Sequence, residues 1–279
     1  MPLARPFAQI DVFSAVPCAG NPVAVVLDGQ GLDAAAMQRF ARWTNLSETT
    51  FLLPPTEPGA DYHVRIWTPI GELPFAGHPT LGSCWAWLAA GGVTRESGHV
   101  VQQSGVGLVT VRRDGARLAF AAPPRRRTGP LEPELLQRIV SALHLDAAEV
   151  LHHQWVDNGP GWCAVMLRSA EQVLDVKPDW AALGKTKLGL VGRHAPGHEA
   201  MFEVRAFAPG LGIDEDPVTG SLNAGLALWL IGAGLAPQAY VAAQGAALGR
   251  AGRVQVQHDG ETTWIGGDVV ALVEGTITL

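Results

Sequence analysis

The apolar positions of this 279-residue chain fall mostly in short runs broken by proline or glycine. IDVFSAV, NPVAVVL, TTFLLPP and YHVRIWTP are rich in Val, Ile, Thr, Phe and Trp, the pattern of strands. Runs such as AVVL (24–27), apolar at every position, predict strands covered on both faces. A helical period occurs from Asp33 to Trp43 (DAAAMQRFARW), with Asp33 as N-cap and Met37, Phe40 and Ala41 on one face. Two further predicted helices are apolar all round. One begins near Pro79 and runs LGSCWAWLAAGG; the other begins near Pro217 and continues through the uncharged run from Ser221 to Ala236. A helix without a polar face cannot lie on a surface, so both must be enclosed. Short strands wrapped around one buried helix would satisfy both patterns.

The chain also says several things twice. VRIWTP (64–69) recurs as VRAFAP (204–209), HPTLGS (78–83) as DPVTGS (216–221), AVVL (24–27) as AVML (164–167), and VTVRRDG (109–115) as VQVQHDG (254–260). The order is the same in both halves, which predicts two similar domains related by a pseudo-twofold. Pairing HPTLGS with DPVTGS places His78 and Asp216 as N-caps, and Pro79 and Pro217 at the first helical position, where a missing N–H costs nothing. Helix starts carry roughly half a positive charge and unpaired N–H groups, so they favour acidic residues and bound anions. Asp216, at the end of the acidic stretch Asp214-Glu215-Asp216, therefore reads equally as a helix cap or as part of a site. If both helix starts faced a shared cleft, they would hold a small anion such as a carboxylate. His78 and Asp216 would then be opposed across it, an acid/base pair without metal or cofactor.

Composition narrows the functional classes. A net charge of −6 argues against nucleic-acid binding, and the short run Arg125-Arg126-Arg127 behind Pro123-Pro124 reads as a solvated linker. Cys18, Cys84 and Cys163 are widely spaced with no C-x-x-C, which fits a reducing compartment and gives no metal signature. The start MPLARPFAQI lacks the apolar core of a signal peptide, and the run from Ser221 is too short and glycine-rich to span a membrane, so a cytoplasmic protein is expected. Cys84, Trp85 and Trp87 read as core. The glycines of PGLGIDEDP (209–217) lack the G-x-G-x-x-G spacing of a phosphate loop.

Four motifs, GNPVAVV (20–26), NLSETTF (45–51), FAGHPTLGS (75–83) and EDPVTGS (215–221), resemble those of the PhzF-like phenazine-biosynthesis isomerase family, in its order across nearly the whole chain. The resemblance implies an α+β fold like that of diaminopimelate epimerase: two pseudo-symmetric domains, each a β-barrel-like sheet wrapped around a central apolar helix. It implies domains of 1–122 plus 267–279 and of 123–266, with the final strand returning to the first domain. It also implies Glu48 as the proton-transferring residue, His78 and Asp216 as its catalytic partners, and Ser47, Gly77, Gly220 and Ser221 as substrate-binding positions. Read alone, Glu48 lies at a helix–strand junction, where a glutamate is most simply solvated. No cofactor, no metal, a small carboxylate-bearing substrate and a homodimer are expected on the same ground. The rival readings are an amino-acid racemase or epimerase on the same scaffold, with Asp216 or His78 as second base, and a non-catalytic small-molecule-binding or scaffold protein. Neither apolar helix starts with a cysteine, which argues against paired-thiol racemisation.

Overall fold

A computed structural model describes residues 3–115, 117–211 and 213–279; Gly212, just before the acidic stretch, lies outside the described residues. The chain divides into two compact units, residues 1–121 with 266–279 and residues 122–265.

Unit 1 contains β1 (Ala4–Val12), β2 (Asn21–Val26), α1 (Ala34–Thr44), β3 (Glu48–Leu53), β4 (Tyr62–Trp67), β5 (Glu72–Leu73), α2 (Gly77–Ala89), β6 (His99–Ser104), β7 (Gly107–Asp114) and β8 (Arg117–Ala121). Unit 2 contains α3 (Pro133–Ala142), β9 (His152–Trp155), β10 (Cys163–Met166), α4 (Ala170–Asp175), α5 (Trp180–Leu183), β11 (Leu188–Arg193), β12 (Phe202–Ala208), β13 (Ile213–Asp216), α6 (Gly220–Gly232), β14 (Ala239–Gln244) and β15 (Gly252–His258). Strand β16 (Thr263–Gly267) crosses the boundary in sequence, and β17 (Val269–Thr278) returns to pair antiparallel with β1 from Ala4↔Thr278 to Val12↔Val269.

Each unit is a β-barrel-like sheet around an apolar helix. In unit 1, β2 pairs parallel with β3, β3 antiparallel with β4, β4 parallel with β6, and β6 antiparallel with β7. Unit 2 repeats that sequence of pairings with β10, β11, β12, β14 and β15. Helix α2 packs against β1, β2, β3, β6, β8 and β17, which encircle it. On the outer face, α1 places Met37, Phe40 and Ala41 against Val26, Phe51 and Trp67, and Asp33 caps it by accepting from the Ala36 N–H at 2.7 Å. In unit 2, Ile139, Leu143, Val173 and Leu183 from the outer helices cover Val165, Leu190 and Phe207. Strands between an inner and an outer helical layer must be apolar on both faces, which accounts for the AVVL and AVML runs.

Enclosure requires close approach. A Cβ on Gly82 of α2 would stand 2.4 Å from Val23 Cγ1, and one on Gly225 of α6 would stand 2.1 Å from the Val156 carbonyl oxygen. Trp85 and Trp87 are half-buried rather than core, because the C-terminal half of α2 emerges from the sheet; the Trp87 ring stacks on buried Tyr62 at 5.2 Å. Among the described residues no helix is long and apolar enough to cross a membrane.

The helix starts differ from the sequence expectation. Helix α2 begins at Gly77 with Ala76 as N-cap, and α6 at Gly220 with Thr219 as N-cap, so neither His78 nor Asp216 is a helix cap. Pro217 precedes its helix, and Pro79 is the third residue of its own. There its missing N–H is one of those a first turn leaves unpaired. Sheet register gives the reason. Glu72 pairs with Trp67 and Leu73 with Ile66, as Glu215 pairs with Phe207 and Asp216 with Ala206. The segments that correspond are therefore ELPFAGH (72–78) and EDPVTGS (215–221), offset by 143 residues (215 against 72) and not by the 138 (216 against 78) of the HPTLGS match. Leu73 is the counterpart of Asp216, and Ser221 the counterpart of His78. The arginine run also departs from expectation: Arg127 bridges Asp157, stacks 3.5 Å over Trp155 and pairs with Glu132 at 2.7 Å, so the segment is fastened to unit 2.

The same register explains part of the acidic stretch. Glu215 receives two bonds from Arg205, Nε at 2.9 Å and Nη2 at 2.8 Å, and both side chains are buried. Arg205 also donates to the Val173 and Val176 carbonyls at 3.2 and 2.7 Å, by the end of α4. Arg65 and Glu72 form the matching pair in unit 1, at 2.6 and 2.7 Å, but more exposed. Breaking a buried pair strands a charge at a cost of about 3–5 kcal/mol, whereas an exposed pair contributes about 0–1 kcal/mol. Glu215→Ala should therefore lower the urea midpoint far more than Glu72→Ala; equal losses would show that burial does not distinguish the two.

Candidate active site

The N-terminus of α2 brings two ionisable groups of unit 1, Glu48 and His78, together. Helix α1 ends at Asn45, whose left-handed backbone (φ 54°) reverses the chain, and half-buried Ser47 leads into β3. Glu48 is the first residue of that strand, paired with Val23, and its side chain is only 13% exposed. It is thus not the solvated junction residue its sequence position allows. Gly77 opens α2, and His78 follows it into the interior.

His78 is held at both ring nitrogens. Its Nε2 lies 3.3 Å from Glu48 Oε2, and its Nδ1 lies 3.2 Å from Asn21 Nδ2. Burial drives the imidazole pKa down to about 3, outweighing a bond to the Pro22 carbonyl that favours the protonated form. The ring is therefore neutral at neutral pH, and its 3.3 Å approach to Glu48 is a close polar contact rather than an ion pair. Asn21, fully buried at the head of β2, is fixed from behind. The N–H of its neighbour Gly20 donates to Oδ2 of buried Asp11 at 2.9 Å, and a Cβ at Gly20 would stand 2.2 Å from the Val12 carbonyl oxygen.

Asp216, Gly220 and Ser221 gather at the start of α6 in unit 2. Asp216 Oδ2 accepts the hydroxyl proton of Thr219 at 2.5 Å, so it orients the N-cap residue and does not cap the helix itself. Gln244 braces the same turn: its Oε1 accepts from the Thr219 N–H at 3.0 Å and from Asn223 at 2.8 Å, and its Nε2 donates to the Asp216 carbonyl at 3.1 Å. Ser221 Oγ accepts from Trp162 Nε1 at 3.0 Å, and its carbonyl accepts from Asn158 Nδ2 at 2.9 Å. The structure brings Glu48 and His78 into contact within unit 1, and Asp216, Gly220 and Ser221 together within unit 2. Sequence reasoning missed Asn21, Gln244, Trp162 and Asn158. Asn21 had a signal, a polar residue heading an otherwise apolar strand. Trp162 and Asn158 had none, because they reach Ser221 across 59 and 63 residues of chain.

The buried imidazole has a thermodynamic signature. An unfolded histidine titrates near pH 6.5, but folded His78 does so only at about 3. Between those values the unfolded chain binds the extra proton, so the contribution of neutral His78 is fully present above about pH 6.5 and is lost as pH falls toward 3. The drop in urea midpoint between pH 7 and pH 4.5 should be smaller in His78→Asn than in the native protein. An identical drop would place the acid sensitivity elsewhere.

Residues 10–275 match the family model described as phenazine biosynthesis-like protein. The chain is 33% identical over 286 aligned positions to a trans-2,3-dihydro-3-hydroxyanthranilate isomerase of Pseudomonas fluorescens, covering 98% of this chain and 99% of that one. It is 37% identical over 233 positions to Antisense-enhancing sequence 1 of Schizosaccharomyces pombe, covering 77% and 76%. Among solved structures, a phenazine biosynthesis protein of the PhzF family from Enterococcus faecalis superposes with a TM-score of 0.82 at 26% identity, over 99% of this chain and 100% of that one. The two β-barrel-like units, their enclosed helices and a match along nearly the whole chain agree: this protein belongs to the PhzC-PhzF family of phenazine biosynthesis-like isomerases.

Proposed function

We propose that the protein moves a hydrogen between two carbons of a small, carboxylate-bearing, unsaturated substrate, with Glu48 as acid–base group and without a cofactor. The observation that carries this reading is the enclosed Glu48–His78 pair: a carboxylate mostly withdrawn from water, beside a neutral imidazole, at the start of a buried helix. In the forward step a Glu48 carboxylate oxygen takes a proton from carbon, and the C–H electron pair moves into the adjacent unsaturation. The Glu48 carboxyl then returns that proton to a carbon further along. One C–H bond breaks and one forms, no electrons leave the substrate, and Glu48 ends as it began, so no oxidant or reductant is needed.

Charge builds on the substrate between the two transfers, and the N–H groups at a helix start are suited to hold it. Gly77 opens α2, and Ser47 directly precedes the base in sequence. Gly220 and Ser221 form a second such start in unit 2, with Asp216 keeping Thr219 in place. Paired-thiol racemisation is disfavoured, because Cys84 and Cys163 are buried with thiols pushed up to about 12 and Cys18 is remote in sequence from both helix starts.

The test is Glu48→Gln, which preserves shape but cannot carry a proton. The probe is trans-2,3-dihydro-3-hydroxyanthranilate, the compound named for the Pseudomonas relative, with turnover and solvent-deuterium incorporation followed by NMR in deuterated water. General acid–base catalysis contributes about 10²–10⁴-fold, so the variant should lose at least that much while still binding the probe. A folded Glu48→Gln protein exchanging hydrogen at the native rate would remove Glu48 from the mechanism. Native protein that binds the probe without exchange or turnover would favour a different substrate or a binding role.

A further inference from the structure

The side-chain amide of Asn21 is the group the structure places at Nδ1 of His78, with Nδ2 at 3.2 Å. The two ends of such an amide ask for opposite tautomers. An amide N–H donor needs a bare Nδ1 and so puts the ring proton on Nε2. A carbonyl acceptor needs a proton on Nδ1 and leaves Nε2 bare. Because Nε2 is the nitrogen beside Glu48, the choice decides whether His78 donates to that carboxylate or accepts from its acid form.

We propose that Asn21 is a positioning residue, which donates to Nδ1 of His78 and so holds the imidazole in the tautomer that presents Nε2–H to Glu48. The surroundings leave the amide little freedom to do otherwise. Asn21 and Asp11 are fully buried, and the bond from Gly20 N–H to Asp11 fixes the chain immediately before Asn21. No side chain fits at Gly20 beside Val12, and none at Gly82 beside Val23, so β1, β2 and α2 are packed too closely for the ring to shift away from the amide. Glu48, from β3, is the charged group against the ring, while Asp11 Oδ2, from β1, is engaged by the Gly20 amide.

The consequence for the reaction rests on Glu48 being the proton-transfer group. A neighbouring N–H favours the ionised form of a carboxylate, whereas a bare ring nitrogen favours its acid form. The tautomer itself does not depend on that reading.

The experiment is NMR of the intact protein labelled with ¹⁵N-histidine, reading which ring nitrogen of His78 carries the proton, with the signal assigned by its loss in His78→Asn. The native protein should show a protonated Nε2 and a bare Nδ1. Asn21→Leu, which removes the donor at similar size, should shift the proton from Nε2 toward Nδ1; Asn21→Asp, which offers only acceptors, should do the same. A native protein with its proton on Nδ1, the Asn21 carbonyl turned toward it, would overturn the proposal even if both variants failed to fold. So would a folded Asn21→Leu protein that kept Nε2–H. Glu48→Gln separates the two inferences. If that variant keeps native turnover while native His78 shows Nε2–H, the catalytic reading falls and the role of Asn21 in setting the tautomer stands.

Discussion

Two helices without a polar face set the terms for the rest of this protein. Neither α2 nor α6 can be stable against water, so each must be surrounded, and only a sheet curved around it can do that over its length. The sheet strands then lie between an inner helix and outer helices, which forces them to be apolar on both sides. Gly82 and Gly225 exist for the same reason, since a methyl group at either position would collide with the surrounding chain. Enclosure also creates a polar problem. The first turn of an enclosed helix has N–H groups with no partner inside the helix, in a place where water is scarce. Glu48 and His78 in unit 1, and Asp216, Thr219 and Gln244 in unit 2, gather at that point.

The repeated segment shows how one frame accommodates different chemistry. Both copies run from a glutamate paired with an arginine on the neighbouring strand, through a proline, to a glycine that opens the helix. The positions between and after these fixed points differ. Where unit 1 has Leu73 and His78, unit 2 has Asp216 and Ser221. In unit 1 the residue after the glycine is an imidazole aimed at a carboxylate, and in unit 2 it is a hydroxyl held by Trp162. The Arg–Glu pair fastens the approach to the helix, and side-chain identity beyond it is free to vary.

Burial is the dominant electrostatic influence on the interior groups of both units. It moves His78 down to about 3 and pushes the thiols of Cys84 and Cys163 up to about 12. It also carries the Glu203 carboxyl up to about 7, although His194 lies 3.1 Å away. The direction follows from one rule, that withdrawal from water disfavours whichever form is charged. If Glu48 transfers a proton as proposed, neighbouring dipoles, more than solvent, decide where that proton sits beside His78. That is why an amide such as that of Asn21 matters there.

The sequence by itself determined the enclosed helices, the two-sided strands, the amphipathic α1 with its Asp33 cap and the existence of an internal repeat, because each rests on local periodicity or composition. It also marked Glu48 and His78 through motifs whose residues lie close together in the chain. Tertiary structure decided how the repeats align. The match of HPTLGS to DPVTGS counted identical letters, whereas sheet pairing at Glu72 and Glu215 fixed which residues occupy equivalent places. It likewise divided the acidic stretch, sending Glu215 to Arg205 and Asp216 to Thr219. Those assignments depend on strand register and on partners from distant segments, so a side chain's role there is set by what the fold brings beside it and not by its neighbours along the chain.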